Sequence, residues 1–119
     1  MKKRVEELAY PQLDYYVAQI ENIFYLRGED GRLYQIDDDG RVYASTKPDR
    51  SFYYAPSLDW RQGGAIVEKL GVSINKMGED TWIADINRAV FAVAHTPLVA
   101  AMRVVVMQRY GPAVETETD

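Results

Sequence analysis

The sequence predicts an α+β fold: a small antiparallel sheet of roughly four to six strands packed against an N-terminal and a C-terminal helix, with a short middle helix. Three observations lead there. Apolar residues recur at helical spacing near the start, and a capped apolar run stands near the end. Short strand-like segments fill the middle. Their connections are tight turns rich in Gly and Asp, which suit antiparallel neighbours better than long parallel crossovers.

The first helix is expected from about Pro11 to Asn22, because Leu13, Tyr16, Val17, Ile20 and Phe24 share one face. Pro11 fits the first helical turn, where its missing N–H costs nothing. Lys3–Tyr10 reads as a separate short turn of helix. Strands are expected at Ile23–Arg27, Arg32–Ile36 and Arg41–Ala44, divided by Gly28-Glu29-Asp30-Gly31 and Asp37-Asp38-Asp39-Gly40. Asp-Gly favours tight hairpins because Gly accepts positive φ and Asp tolerates it. A small repeat sits here: Asp30-Gly31-Arg32-Leu33-Tyr34 is echoed by Asp39-Gly40-Arg41-Val42-Tyr43. Two copies make two turn-plus-strand units of a meander; a solenoid needs about three or more.

Ser45–Arg50 reads as a polar loop and Ser51–Ala55 as a further strand, before a turn at Pro56–Trp60. A short helix Ala65–Leu70 is expected to open at Gly63 or Gly64, with Gly71 as its left-handed cap. Val72–Lys76 and Thr81–Ile86 pair as a hairpin across Met77-Gly78-Glu79-Asp80. The last helix carries the clearest signals. Thr96 is an N-cap residue, Pro97 takes the first helical position, and Gly111-Pro112 ends the run. Leu98–Tyr110 is apolar on almost every face, so it must be covered on more than one side. That implies a central helix or a subunit interface, and a homodimer or larger assembly is expected. The domain is expected over residues 1–114, with a disordered acidic tail at 115–119.

Composition narrows the chemistry. The chain of 119 residues is 47% hydrophobic and 27% charged, has a net charge of −4, and contains one histidine and no cysteine. The acidic balance argues against direct DNA or RNA binding, which needs clustered Lys and Arg. Without cysteine there is no disulfide, thiol nucleophile or thiolate zinc site. One histidine excludes a multi-histidine metal centre. No apolar run approaches the roughly 18 residues of a membrane span, and the basic start lacks the apolar core of a signal peptide. No cofactor and no metal are expected.

Specific blocks of residues resemble a known family. Pro56-Ser57-Leu58-Asp59-Trp60-Arg61-Gln62-Gly63-Gly64-Ala65-Ile66-Val67-Glu68 is similar to a Pro-Ser-x-Asp-Trp-x-x-Gly-Gly-Pro-Ile-Ile-Glu pattern. Thr96-Pro97-Leu98-Val99-Ala100-Ala101-Met102-Arg103 is similar to Thr-Pro-Leu-Ile-Ala-Ala-Met-Arg. Leu13-Asp14-Tyr15-Tyr16-Val17-Ala18 resembles a Leu-Asp-x-x-Val-Ala helix start, and Trp82 and Gly111–Val114 complete the match. Together these resemble the NinX-like family of small tailed-phage and prophage proteins. Ala65 departs from the family's usual Pro, and the Tyr-rich region Phe24–Tyr43 lies outside the motifs. The resemblance implies a phage origin and a setting in the host bacterial cytoplasm. It implies no reaction.

The Gly63-Gly64 step supports two readings. In one, helix N-terminal N–H groups cradle an anion, with Ser57, Arg61 and Gln62 as further donors and Trp60 stacking on a flat ligand. In the other it is a turn into a short helix, capped by Ser57 or Asp59, with Trp60 in the core. A lone Gly-Gly is far weaker than a full phosphate loop. Asp37-Asp38-Asp39-Gly40 lacks the alternating ligands of a calcium loop and reads as a solvated turn. His95 reads as a surface or capping residue, since the spacing of Ser57, Asp59 and Asp85 assembles no triad. Arg103 either pairs with an acid such as Glu68, snorkels to the surface, or faces an anion. Tyr34, Tyr43, Tyr53 and Tyr54 are candidates for a protein-recognition surface, though tyrosine is also a good strand residue.

The expected function is therefore that of a non-enzymatic phage accessory protein acting by binding, in counter-defence or host modulation. Its partner is a host protein, or an anionic nucleotide-like ligand held by Ser57, Trp60, Arg61, Gln62, Gly63, Gly64 and Arg103. The alternative is a small hydrolase using Asp59, Glu68 or His95.

Overall fold

An apolar helix with few polar positions has to be wrapped, and in this chain other parts of the same polypeptide wrap it. The computed structural model describes residues 2–10, 12–21, 24–25, 35–36, 42–47 and 50–115, with backbone alone for 24–25, 35–36, 42–47 and 50–53. Described in chain order are β1 (Lys2–Arg4), a 3-10 turn (Val5–Glu7), α1 (Gln12–Ile20), β2 (Phe24–Tyr25), β3 (Gln35–Ile36), β4 (Val42–Lys47) and β5 (Arg50–Tyr53). There follow α2 (Trp60–Leu70), β6 (Val72–Lys76), β7 (Trp82–Ile86), β8 (Val90–Ala94), α3 (Pro97–Tyr110) and β9 (Ala113–Glu115). The fold is α+β with antiparallel pairing throughout the described ladders.

Helix α3 lies at the centre. Leu98, Ala100, Ala101, Met102, Val104, Val105 and Val106 are all buried. The β6-β7-β8 meander covers one side and α1 and α2 cover others. The β-branched Val104-Val105-Val106 run is helical because its ends are fixed. Thr96 Oγ1 accepts from the Val99 N–H at 3.3 Å, Pro97 begins the first turn, and the Gly111 N–H donates to the Met107 carbonyl at 2.8 Å. Gly111 has φ of 87°, a value that a side chain would resist.

The sheet facing α3 sets small residues at its middle, between larger ones such as Val72 and Ile86. Ile74 pairs with Ala84, and Ala84 with Ala92, in register. Ala84, Ala92 and Ala94 are buried, so the helix approaches the strands closely. Alternation puts Ile83, Phe91 and Val93 on the other face. At the tip of the first hairpin Lys76 sits 5.9 Å from the Trp82 ring centroid.

Several expectations are corrected. The turn of helix expected over Lys3–Tyr10 is confined to the 3-10 turn Val5–Glu7, and the residues before it are strand: Lys2–Arg4 pairs with β9, with Lys3 opposite Val114. Glu115 belongs to that pairing and not to a tail; residues 116–119 lie outside the described residues. Strand β8 was not expected. Its hairpin turns through Asn87 and Arg88, both at positive φ, a geometry without the usual Gly signal. Ser45–Arg50 is mostly strand, since β4 runs to Lys47 and β5 begins at Arg50 with a shifted register. The turn at 28–31, the Asp-Asp-Asp-Gly turn at 37–40 and Tyr34 lie outside the described residues. Helix α3 is covered within one chain, the central-helix alternative for its apolar surround. Among the described residues no helix is long and apolar enough to cross a membrane.

Candidate functional site

Proline followed by a small polar residue sets a sharp turn ahead of α2. The N–H groups of Leu58 and Asp59 both reach the Ala55 carbonyl, at 2.9 and 2.8 Å. Asp59 then leaves the turn in an extended conformation and caps the helix, its Oδ1 accepting from the Arg61 N–H at 2.8 Å. Its carbonyl accepts from the N–H groups of Gln62 and Gly63 at 3.1 and 2.8 Å. Helix α2 therefore begins at Trp60, one turn earlier than the glycine pair suggests. A helix start supplies donors to an anion only while they are unsatisfied. Here the Arg61, Gln62 and Gly63 N–H groups are already taken by Asp59.

The glycines have different tasks. A Cβ on Gly63 would collide with the Pro56 carbonyl and come within 2.7 Å of Leu98 Cδ2. Gly63 is thus the contact point of the turn, α2 and the start of α3. A Cβ on Gly64 would meet only Trp60 Cε3, at 3.8 Å. The indole lies along the helix surface over Gly64, as residues four apart do.

Beneath the turn is a buried carboxyl. Ser57 is 2% exposed and Asp14, on α1, is 0% exposed. The Ser57 hydroxyl donates to Asp14 Oδ2 at 2.8 Å, and its N–H reaches Oδ1 and Oδ2 at 3.2 and 3.3 Å. Burial pushes the Asp14 pKa up to about 7, against the opposing pull of the Ser57 hydroxyl and N–H. Tyr54 is 4% exposed beside them. Its phenol is held above its ordinary range by burial first and by the Glu21 and Asp14 carboxylates next. Glu21 in turn pairs with Lys69 near the end of α2. Helices α1 and α2 are thus joined at both ends, by Asp14 with Ser57 and by Glu21 with Lys69.

Above the turn the surface is apolar and wet. Leu58 is 62% and Trp60 57% exposed, and Arg61 is exposed beside them. The residues expected to hold a ligand therefore divide. Ser57 and Gly63 face inward, and Gln62 uses Oε1 to accept from the Ala55 N–H at 2.6 Å. Trp60 and Arg61 face water, with Gly64 under the indole. Trp60 is not in the core, contrary to the structural reading of the turn. Arg103 stands apart. It donates from Nε to the Leu8 carbonyl at 3.0 Å and from Nη1 to the Val93 carbonyl at 2.9 Å. At 100° per residue that face lies roughly 140° around α3 from Leu98, which meets Gly63. Burial lowers the Arg103 pKa, with the Glu6 charge opposing. Its partners are backbone carbonyls and not Glu68, which is exposed.

The remaining candidates resolve individually. Tyr54 belongs to the core, a correction to its expected place on a recognition surface. Tyr43 and Tyr53 pair directly across β4 and β5, but their side chains lie outside the described residues, as does Tyr34. His95 is exposed, and its Nδ1 lies 3.0 Å from the Asp80 carbonyl. Asp85 accepts from the Arg88 N–H at 2.8 Å in the hairpin turn.

Sequence reasoning did not single out Asp14 as a site residue. Its signal was present: a carboxylate between Leu13 and Val17, on the face of α1 that turns inward. Asp14 and Ser57 also come from two separate blocks of the motif, which the fold brings into contact. The profile of a family described as "Bacteriophage P22, NinX" matches residues 4–109. No curated protein matches the chain. A match over so much of the 119 residues is decisive: the chain belongs to this phage NinX family.

Proposed function

We propose that this phage protein acts by occupancy, binding a host protein through the surface formed by Leu58, Trp60 and Arg61 and turning over no substrate. The reading rests on one observation: two large apolar side chains are held in water where a turn, hydrogen-bonded from below, enters α2. Burying exposed apolar area is the main favourable term in association, and Trp and Arg are frequent anchors of protein interfaces. Pre-organisation by Asp14, Ser57 and Gly63 lowers the ordering cost of binding. The biological effect is counter-defence or host modulation, by analogy with other small phage accessory proteins.

A second reading is favoured by two consecutive exposed residues at the start of α2, Trp60 and Arg61. An exposed flat ring and an exposed cation on one helix turn suit an anionic nucleotide-like ligand, which the protein would sequester by stacking and charge. The helix N–H groups play no part in it.

Trp60→Ala separates these readings, because an exposed side chain can be truncated with little effect on folding. Tagged protein is used to capture partners from host extract, and purified protein is screened by thermal shift against cyclic dinucleotides and related nucleotides. Loss of a captured host protein with Trp60→Ala, in a variant that melts normally, supports the first reading. A saturable nucleotide-induced shift abolished by Trp60→Ala or Gly64→Asp, with the nucleotide recovered intact, supports the second. Binding unaffected by Trp60→Ala overturns the surface, and recovery of a chemically altered ligand overturns occupancy.

A further inference from the structure

The carboxyl beneath the turn has a thermodynamic consequence for the surface above it. Asp14 is completely buried, and Ser57 donates to it from both its hydroxyl and its N–H. Leu58 follows Ser57 in the turn, and Trp60, three positions after Ser57, opens the helix that the turn leads into. Two titratable neighbours flank this seam. Tyr54 comes from the strand side, and Glu21, beyond the end of α1, is neutralised by Lys69 of α2. From α3, Tyr110 packs edge-on against Tyr16 of α1, while Arg103 is turned to Leu8 and Val93. The side chains of β4, which also lies against α1, are outside the described residues.

We infer that Asp14 is a proton-coupled latch: lifting the Ser57 turn off α1 releases a proton from this carboxyl to water. In the closed seam the acid has lost its hydration, so its neutral form is favoured. With the turn lifted, water solvates the carboxylate and it ionises like any exposed aspartate. Opening therefore expels a proton at mildly acidic pH, and rising pH drives opening by mass action. Leu58 and Trp60 move with the turn. The surface is held fixed at mildly acidic pH and gains freedom towards neutrality. This inference takes its functional meaning from the proposed binding surface, but its test reads the turn itself and requires no partner.

The test is amide hydrogen exchange on the full chain from pH 5 to pH 8, corrected for intrinsic exchange rates. The opening constant at the Ser57 amide is expected to rise by roughly two orders of magnitude across that range and to flatten near its upper end. Asp14→Asn is expected to remove the rise. If Asp14→Asn does not fold, Ser57→Ala serves instead: losing a donor to the carboxylate moves the plateau to higher pH. A flat wild-type profile overturns the latch, as does a rise that survives in folded Asp14→Asn or is unmoved in Ser57→Ala. An opening constant at Ser57 no larger than that at Val105, inside α3, also overturns it, because the opening would then be global.

Discussion

Asp14 links burial to pH. Its folded pKa of about 7 lies above the ordinary 3.8, so the folded chain keeps its proton after the unfolded chain has lost it. The stabilising contribution is complete below about pH 4 and drains away as pH rises through about 7. At 1.36 kcal/mol per unit the window holds on the order of 4 kcal/mol. Asp14→Asn is expected to flatten this slope in urea unfolding measured across the range. A wild-type slope that persists in the variant would assign it to other groups. The glycine pair gives a contrast within one motif. Gly63→Ala is expected to cost about 1–3 kcal/mol or more, because a backbone carbonyl cannot move aside as a side chain can. Gly64→Ala should stabilise by about 0.5–1 kcal/mol, the usual gain for Ala over Gly inside a helix. Chemical denaturation of the two variants checks both signs. The sequence marked the pair as notable but not the difference between them, because the Pro56 carbonyl and Leu98 reach Gly63 through the tertiary fold.

Elements with local punctuation were legible. Helix α3 runs from Pro97 to Tyr110 as its caps require, and the β6–β7 hairpin pairs Val72–Lys76 with Trp82–Ile86. Elements defined by distant partners were not. Strand β1 exists because Lys2–Arg4 finds Ala113–Glu115 at the far end of the chain, which no local pattern announces. Strand β8 was hidden by a turn of Asn87 and Arg88 and by small residues that also suit a helix. Helix α2 starts early because Asp59 outcompetes glycine as the starting signal. Arg103 adds hydrogen bonds between elements that already pack together, joining α3 to the segment after the 3-10 turn and to β8. Arg103→Lys keeps the charge but loses the planar fork that serves two carbonyls. Replacement by Lys or Ala is expected to cost about 2 kcal/mol, within the range for hydrogen bonds to charged groups. Undiminished thermal stability in both variants would show that the two contacts carry no net energy.

At the scale of the molecule, apolar surface divides into what is sealed and what is left in water. The core around α3 closes within one chain, and β1 with β9 ties the two ends together. Leu58 and Trp60 remain outside this closure although the turn beneath them is fixed by Asp14, Ser57 and Gly63. The sequence located this segment through its Pro-Ser and Gly-Gly steps. It assigned the donors to a ligand, whereas the fold turns most of them inward and leaves the indole and Arg61 facing out. The most direct measurement is a hydrogen-exchange footprint of the chain bound to the host protein it captures. Occupancy of this surface predicts slowed exchange at Leu58–Arg61 and little change along the outer strand β8. Unchanged exchange at Leu58–Arg61, with protection confined to another face, would contradict it.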